Sequence, residues 1–323
     1  MVRSVLIPNE YDDVPGFAER VESLGYDRLW TGELWGRDAF VALTRAAHAT
    51  EDLGLGTAIV NVYGRSPATL AQAAATLQGA ASSEVVLGVG TSTPKAIEDL
   101  HGVAFDNPPR QLHESVELTK LFLDSEGRVE YDGEHFQVAD FPPLGADVPV
   151  YSAALGAANR RATGRTADGW LPHNIPFERL GQAFETIAEA ATDAGRDPAS
   201  IAVAPYVPAA ASEDAEAATE AVKAHLAYYV GSGEGYRNAV AQQFPDAADT
   251  VAEAWRRGDR DDARDAVTED MVAALGVAGT PEAARDQLRE VAAIDAINEP
   301  IVVIPEAASE ELAERTVEAL APR

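Results

Sequence analysis

The sequence predicts an α/β protein, an eight-stranded (β/α)8 TIM barrel. Three observations carry that prediction. Short β-like apolar runs alternate with helical periods along nearly the whole chain, an order that implies parallel strands joined by right-handed crossovers. Eight such runs fall within 323 residues, a usual length for an α/β barrel folded as one domain. No strand–Gly-x-Gly-x-x-Gly–helix fingerprint opens the chain, which disfavours a doubly wound dinucleotide-binding sheet.

Residues 3–8 read as the first strand. Residues 14–24 follow as an amphipathic helix, with Phe17, Val21 and Leu24 on one face and Gly25 as its stop. The second strand is 27–31, then a helix over 38–53, then a third strand over 55–61. Helix 67–81 begins with Pro67, where a missing N–H does no harm. The fourth strand is 84–88, and helical segments run on to 124. Residues 128–138 break the rhythm by alternating about Asp132–Gly133, a hairpin signature. Regular order resumes with strand 148–153, helix 156–166, strand 168–171, helix 177–194 and strand 201–207. A helical, acidic stretch begins at 214 and runs to about 275, and residues 226–277 of it form an insertion on the barrel. Helix 279–293, strand 301–304 and helix 309–320 complete the chain, so that 1–323 reads as a single domain.

Charge narrows the function. Twenty-five basic and 53 acidic residues give a net charge of −28. That excess argues against nucleic acid, whose phosphates need cationic partners. The absence of cysteine removes disulfides, thiolate metal sites and cysteine nucleophiles. No run approaches the ~20 apolar residues that span a bilayer, and no targeting segment is visible, so the expectation is a cytoplasmic protein acting on a small molecule. An apolar share of 46% argues against disorder. The charge instead fits a salt-adapted surface, because screening shrinks the Debye length to ~3 Å at 1 M.

In a barrel, chemistry belongs to the C-terminal strand ends and the loops beyond them. Two such loops are rich in small residues ahead of a helix: the run from Gly88 through Gly90 and Thr91 to Pro94, and the run Ala153, Ala154, Leu155, Gly156, Ala157, Ala158. Amides at a helix N-terminus bind phosphate without a basic residue; the alternative is two tight turns. Glu33 follows strand two between Trp30 and Trp35, where an apolar setting would raise its pKa and make it a proton donor. Glu10, past strand one, is the second candidate. Tyr63 and Arg65 follow strand three, and Arg65 is placed to grip a carboxylate or to brace the barrel top. The histidines form no metal-ligand spacing, so no metal is expected, and only His173 stands at a strand end. The excess carboxylates are expected on outer helices, away from the strand ends.

Five segments together resemble the luciferase-like oxidoreductases, TIM barrels that use FMN or the deazaflavin coenzyme F420. They are Gly25 to Glu33, Leu53 to Asn61 with Arg65–Ser66–Pro67, Val85 to Gly90, Pro149 to Gly156, and Ala167–Asp168–Gly169–Trp170. Gly258 to Val272, Val277 to Pro281, and Asn61-x-Tyr63-x-Arg65-x-Pro67 are similar to the F420-dependent methylenetetrahydromethanopterin reductases. The resemblance implies a deazaflavin ring resting on a bulge in strand three, at a cis peptide that aligns with Ala58–Ile59. It further implies cofactor contacts at Asn61, Gly88, Gly90, Thr91 and Ala154 to Ala157, substrate contacts at Tyr63, Arg65 and His173, and a homo-oligomer, commonly a dimer. The acidic–His pair of the family's strand two reads Glu33–Leu34 here, so one imidazole is missing. Hydride transfer to a methylene-tetrahydropterin is the activity implied. An FMN-dependent monooxygenase, an F420 enzyme acting on an alcohol or sugar phosphate, and a non-catalytic carrier remain as alternatives.

Overall fold

The computed structural model describes residues 3–8, 11–34 and 36–322. Strands β1 (Ser4–Leu6), β2 (Arg28–Thr31), β3 (Gly54–Thr57), β4 (Val60–Asn61) and β5 (Val85–Gly90) come first. A hairpin, β6 (Val129–Asp132) and β7 (Gln137–Phe141), interrupts them. Then follow β8 (Val150–Ala153), β9 (Gly169–Trp170), β10 (Ala202–Val203), β11 (Tyr206–Ala211), β12 (Val277–Gly279) and β13 (Ile301–Val303). Outside the hairpin every strand pairing is parallel, in the order β10-β9-β8-β5-β3-β2-β1-β13-β11-β12.

β10, at one end of that path, and β11, one strand short of the other end, are halves of one strand. β10 pairs with β9 and β11 with β13, and only Ala204 and Pro205 separate them. Across the break, Ala204 N–H donates to Trp170 O at 2.9 Å and Ile301 N–H to Pro205 O at 2.9 Å. The sheet therefore closes into the predicted barrel. Pro205 explains why one expected strand became two: it has no N–H to give to a ladder. β12, unforeseen, extends β11 beyond the barrel.

The interior is filled by Trp30, Ala58, Val86, Leu171, Ala204, Tyr206, Ile301 and Val303, with Leu6, Ile59, Tyr151 and Ala153 packed against them. At the N-terminal end of the strands lies a buried polar knot. Glu299 accepts hydrogen bonds from Ser4 Oγ, Arg28 Nη1 and, at 3.0 Å, Trp30 Nε1, while Arg28 Nη2 also reaches Glu84. Both Glu299 and Arg28 are buried.

Five helices between Ala215 and Leu275, the first starting ahead of the expected insertion, bury a cluster of their own, including Val222, Leu226, Val230 and Met271. The hairpin is wider than expected, turning over 133–136. It is clamped by Glu114, which is fully buried and accepts the N–H groups of Glu134, His135 and Phe136 as well as Arg110 Nε. Burial pushes the Glu114 carboxyl up, but those donors outweigh it and hold it below its ordinary value. A depressed carboxyl stabilises the fold above the unfolded-chain pKa and loses that contribution as pH falls through the folded value. Glu114→Ala is expected to cost roughly 2–3 kcal/mol near neutral pH, because hydrogen bonds to a charge are worth ~1.5–3 kcal/mol each and the hairpin partly rehydrates. Urea unfolding from pH 7 down to pH 4 checks this: the gap between parent and variant closes as pH falls.

Candidate functional site

The site is built on an irregularity in the third barrel strand. Gly56 pairs with Val86, and the next pair of the same ladder is Val60 with Val89. Four steps on one strand thus match three on the other, which is a β-bulge. The extra residue lies within Thr57–Ala58–Ile59, and the Ala58–Ile59 peptide is cis, at the position expected from the family resemblance. Thr57 replaces the missing ladder bonds with its hydroxyl, which accepts from Gly88 N and donates to Gly88 O, both at 2.8 Å. Ala58 N–H donates to Thr31 O and Glu33 N–H to Ile59 O, tying the bulge to strand two. Gly88 is glycine for a steric reason: a Cβ there would lie 1.9 Å from Thr57 O. At Gly90 a Cβ would meet Ile59 and Ala153 side-chain carbons at 3.2 Å.

This geometry revises the reading of the first phosphate loop. Gly88 and Gly90 are strand residues, and the Gly88 amide is already satisfied by Thr57. Their part is to let strands approach at the bulge. Thr91 is buried behind them. The second loop fits the phosphate reading better. Gly156 is the N-cap of helix Ala157–Thr166 and gives no side-chain cap, and Gly156, Ala157 and Ala158 are all exposed. Ala154 is buried, with its carbonyl accepting from Trp170 Nε1 at 2.8 Å, and Leu155 packs partly buried against the core.

The loop after β4 is self-braced. Asn61 Oδ1 accepts from the amides of Tyr63 and Gly64, and its Nδ2 meets His101 Nε2 at 3.1 Å. Tyr63 donates to Asp106 O at 3.0 Å and stacks on Phe105. Burial, and then nearby Asp106, push the Tyr63 hydroxyl up to about 12. Arg65 bridges Glu33 at 2.8 Å and Asp38 at 2.6 Å, so its guanidinium is engaged by two carboxylates of the chain itself.

Glu33 consequently sits in an ion pair and not against the Trp30 indole. The Trp30 indole points into the barrel, towards Glu299. Glu10 and Trp35 lie outside the described residues. His173 is buried, and its Nε2 faces His225 Nε2 at 3.4 Å. Tyr206, Tyr229 and Tyr236 surround it, with ring centroids 4.2–5.4 Å away. Burial, reinforced by His225, holds His173 well below its ordinary pKa, and burial lowers His225 to about 3. Both imidazoles are neutral at physiological pH. His225 and His101 escaped the sequence reading because neither lies at a strand end; His225 comes from the helix Ala215–Ser232, 52 residues from its partner.

Beside the ends of β1 and β13 opens a cavity of about 700 Å3. Leu6 and Val303 form part of its wall and belong to the same interior cluster as Ala58 and Ile59. Four carboxylates also line it, those of Asp12, Asp13, Glu306 and Glu310, contrary to the expectation that acidic residues avoid the strand ends. Among the described residues no group of three or more His, Asp or Glu is placed to hold a metal, and no helix is long and apolar enough to cross a membrane.

A family model described as luciferase-like monooxygenase matches residues 3–296. The chain belongs to that family. The chain is also similar to the 5,10-methylenetetrahydromethanopterin reductase of Methanolobus tindarius, 29% identical over 282 residues and covering 85% of each chain. The enzyme of the same description from Methanopyrus kandleri is 29% identical over 293 residues, covering 84% of this chain and 82% of its own. A solved structure of the coenzyme F420-dependent tetrahydromethanopterin reductase from Methanopyrus kandleri superposes with a TM-score of 0.83 at 24% identity, covering 99% of this chain and 97% of that one. That last likeness speaks for the fold.

Proposed function

We propose that the protein is an F420-dependent oxidoreductase, reducing a methylene-tetrahydropterin. The observation that carries this reading is the bulge at Thr57–Ala58–Ile59, a shelf at the barrel mouth flanked by the small residues Gly90 and Ala153. A flat ring needs such a shelf, and a side chain on Gly90 would crowd it. When bound, the deazaflavin supplies the hydride. The chain's own share is to bind, orient and exclude water. Ala58 and Ile59 support the ring. The amides at Gly156 and Ala157 take its phosphate with the helix dipole behind them. Asn61, Tyr63 and the Arg65–Glu33–Asp38 triad hold the surrounding loops in place. Glu10 and Glu33 are the proposed proton donors, Glu33 only when its ion pair with Arg65 opens; full turnover by the doubly substituted Glu10→Gln, Glu33→Gln protein would remove them from that role.

Cofactor choice is tested by titrating the protein with F420 and with FMN, following absorption and fluorescence. The reading expects saturable F420 binding that inorganic phosphate weakens. Tight FMN binding with oxygen uptake would replace it by the monooxygenase alternative.

The reading extends to the setting. A cytoplasm rich in salt fits the charge of −28, since self-repulsion at low ionic strength opposes a compact state. The melting temperature is expected to rise steadily between 0.1 and about 2 M KCl, where screening is nearly complete. A melting temperature indifferent to salt would contradict the salt-adapted reading. A homo-oligomer, implied by the family resemblance, is checked by light scattering in the same buffers.

A further inference from the structure

The cavity beside β1 and β13 has a charge character that the proposed cofactor site does not explain. Its walls are apolar and aromatic, with Tyr11, Tyr228, Tyr229 and His225 on the side of the helix Ala215–Ser232 and the first loop. All four carboxylates that line it are exposed at its mouth. No lysine or arginine lines it among the described residues. The nearby Arg20 is already held by Glu314 at 3.1 Å and Glu318 at 2.7 Å. The imidazole in the wall cannot supply a positive charge either. His225 is buried against His173 and the Tyr229 ring, and its Nε2 is turned to His173, while Nδ1 makes no hydrogen bond to the described residues. A neutral imidazole of this kind offers one donor or one acceptor, and the facing pair can exchange which nitrogen carries the proton.

An anionic group inside this cavity would meet four lining carboxylates and no lining cation; Arg37, next to the wall, is engaged by Pro8 O at 3.3 Å and Tyr11 O at 2.6 Å. Like charges brought together at a partly desolvated site disfavour binding, whereas N–H donors directed at the same carboxylates make charge-assisted hydrogen bonds. Because Leu6 and Val303 are shared with the cluster around Ala58 and Ile59, whatever fills the cavity lies next to the proposed ring shelf. We infer that the cavity receives the acceptor's ring system as a neutral or cationic body bearing N–H donors, anchored by His225. The acidic mouth turns away acceptors that carry phosphate or carboxylate directly on that ring. Charged tails must then leave the cavity before they begin. This rests on the proposed function only in naming the occupant as the hydride acceptor.

The test is equilibrium binding to the whole protein without cofactor, followed by ligand fluorescence. The probes are pterin, which is neutral and carries the 2-amino-4-oxo donor edge, and pterin-6-carboxylate, its anionic counterpart. At the lowest salt that keeps the protein folded, pterin should bind at least tenfold more tightly. The gap should narrow towards about 1 M salt as screening reaches ~3 Å. The doubly substituted Glu306→Gln, Glu310→Gln protein should narrow it at least threefold at low salt, while His225→Phe should weaken pterin. Equal or tighter binding of the carboxylate, a gap untouched by the double substitution, or failure of both pterins to bind would overturn the inference. Its failure is distinguishable from that of the parent reading. A protein that binds F420 but shows no charge preference loses only the inference. One that prefers neutral pterin without binding F420 loses only the cofactor assignment.

Discussion

Glu299→Ala is expected to destabilise the protein by roughly 3–5 kcal/mol, the range found when one partner of a buried ion pair is removed. The carboxylate receives Ser4, Arg28 and Trp30 at once, and all three donors are buried. Without it, Arg28 keeps only Glu84, which is half exposed, and the Trp30 indole N–H loses its acceptor inside the barrel. The cost therefore comes from stranded donors more than from lost attraction. Replacing both Arg28 and Glu299 by leucine should accordingly cost less than the sum of the two single changes, since an apolar pair leaves no charge behind. The knot lies at the N-terminal ends of the strands, the end that reads as stability and not as chemistry. Unfolding midpoints should fall while cofactor affinity at a temperature where the variant is folded stays unchanged. An equally large loss of affinity would mean that the two ends of the barrel are coupled.

Thr57→Val should do the opposite. The substitution keeps the shape and removes the hydroxyl that is both donor to Gly88 O and acceptor from Gly88 N. Thr57 and the strand around it are buried, so both Gly88 groups lose their partners where water does not easily replace them. Each such group costs ~1–3 kcal/mol. The larger consequence is positional. The bulge is where the ladder skips a residue, and the Thr57 hydroxyl is what fixes β3 to β5 there. F420 affinity is expected to fall at least tenfold, more than the change in stability alone would give at a temperature where the variant is folded. Thr57→Ser, which keeps the hydroxyl, should restore most of it. If valine binds cofactor as well as threonine does, the bulge is not the ring shelf.

Much of this architecture was legible because the signals were local. Period and turn residues marked the barrel strands and the helices between them, and the family pattern placed the bulge at Ala58–Ile59. What escaped depended on contacts distant in sequence. The Trp30 indole could be placed beside Glu33 only by ignoring that strand residues alternate sides; its partner Glu299 is 269 positions away. Gly88 looked like a loop residue because glycine marks turns, whereas here its missing Cβ makes room for the Thr57 carbonyl. Pro205 split a strand without ending it. His225 is on a helix whose apolar pattern gives no hint of His173. The acidic mouth of the cavity was missed for a different reason. In a chain with 53 carboxylates, position in space is what distinguishes one from another.

The proposed reaction is hydride transfer from reduced deazaflavin to a tetrahydropterin-bound carbon, with no oxygen consumed. The direct measurement is anaerobic: mix the protein at high salt with reduced F420 and methylene-tetrahydromethanopterin or methylene-tetrahydrofolate, and follow the return of oxidised-cofactor absorption. One equivalent of oxidised F420 is expected for each methyl-pterin formed with at least one carrier, with no change when oxygen is admitted. Stable reduced F420 in the presence of both acceptors, together with oxygen consumption when reduced FMN replaces it, would contradict it.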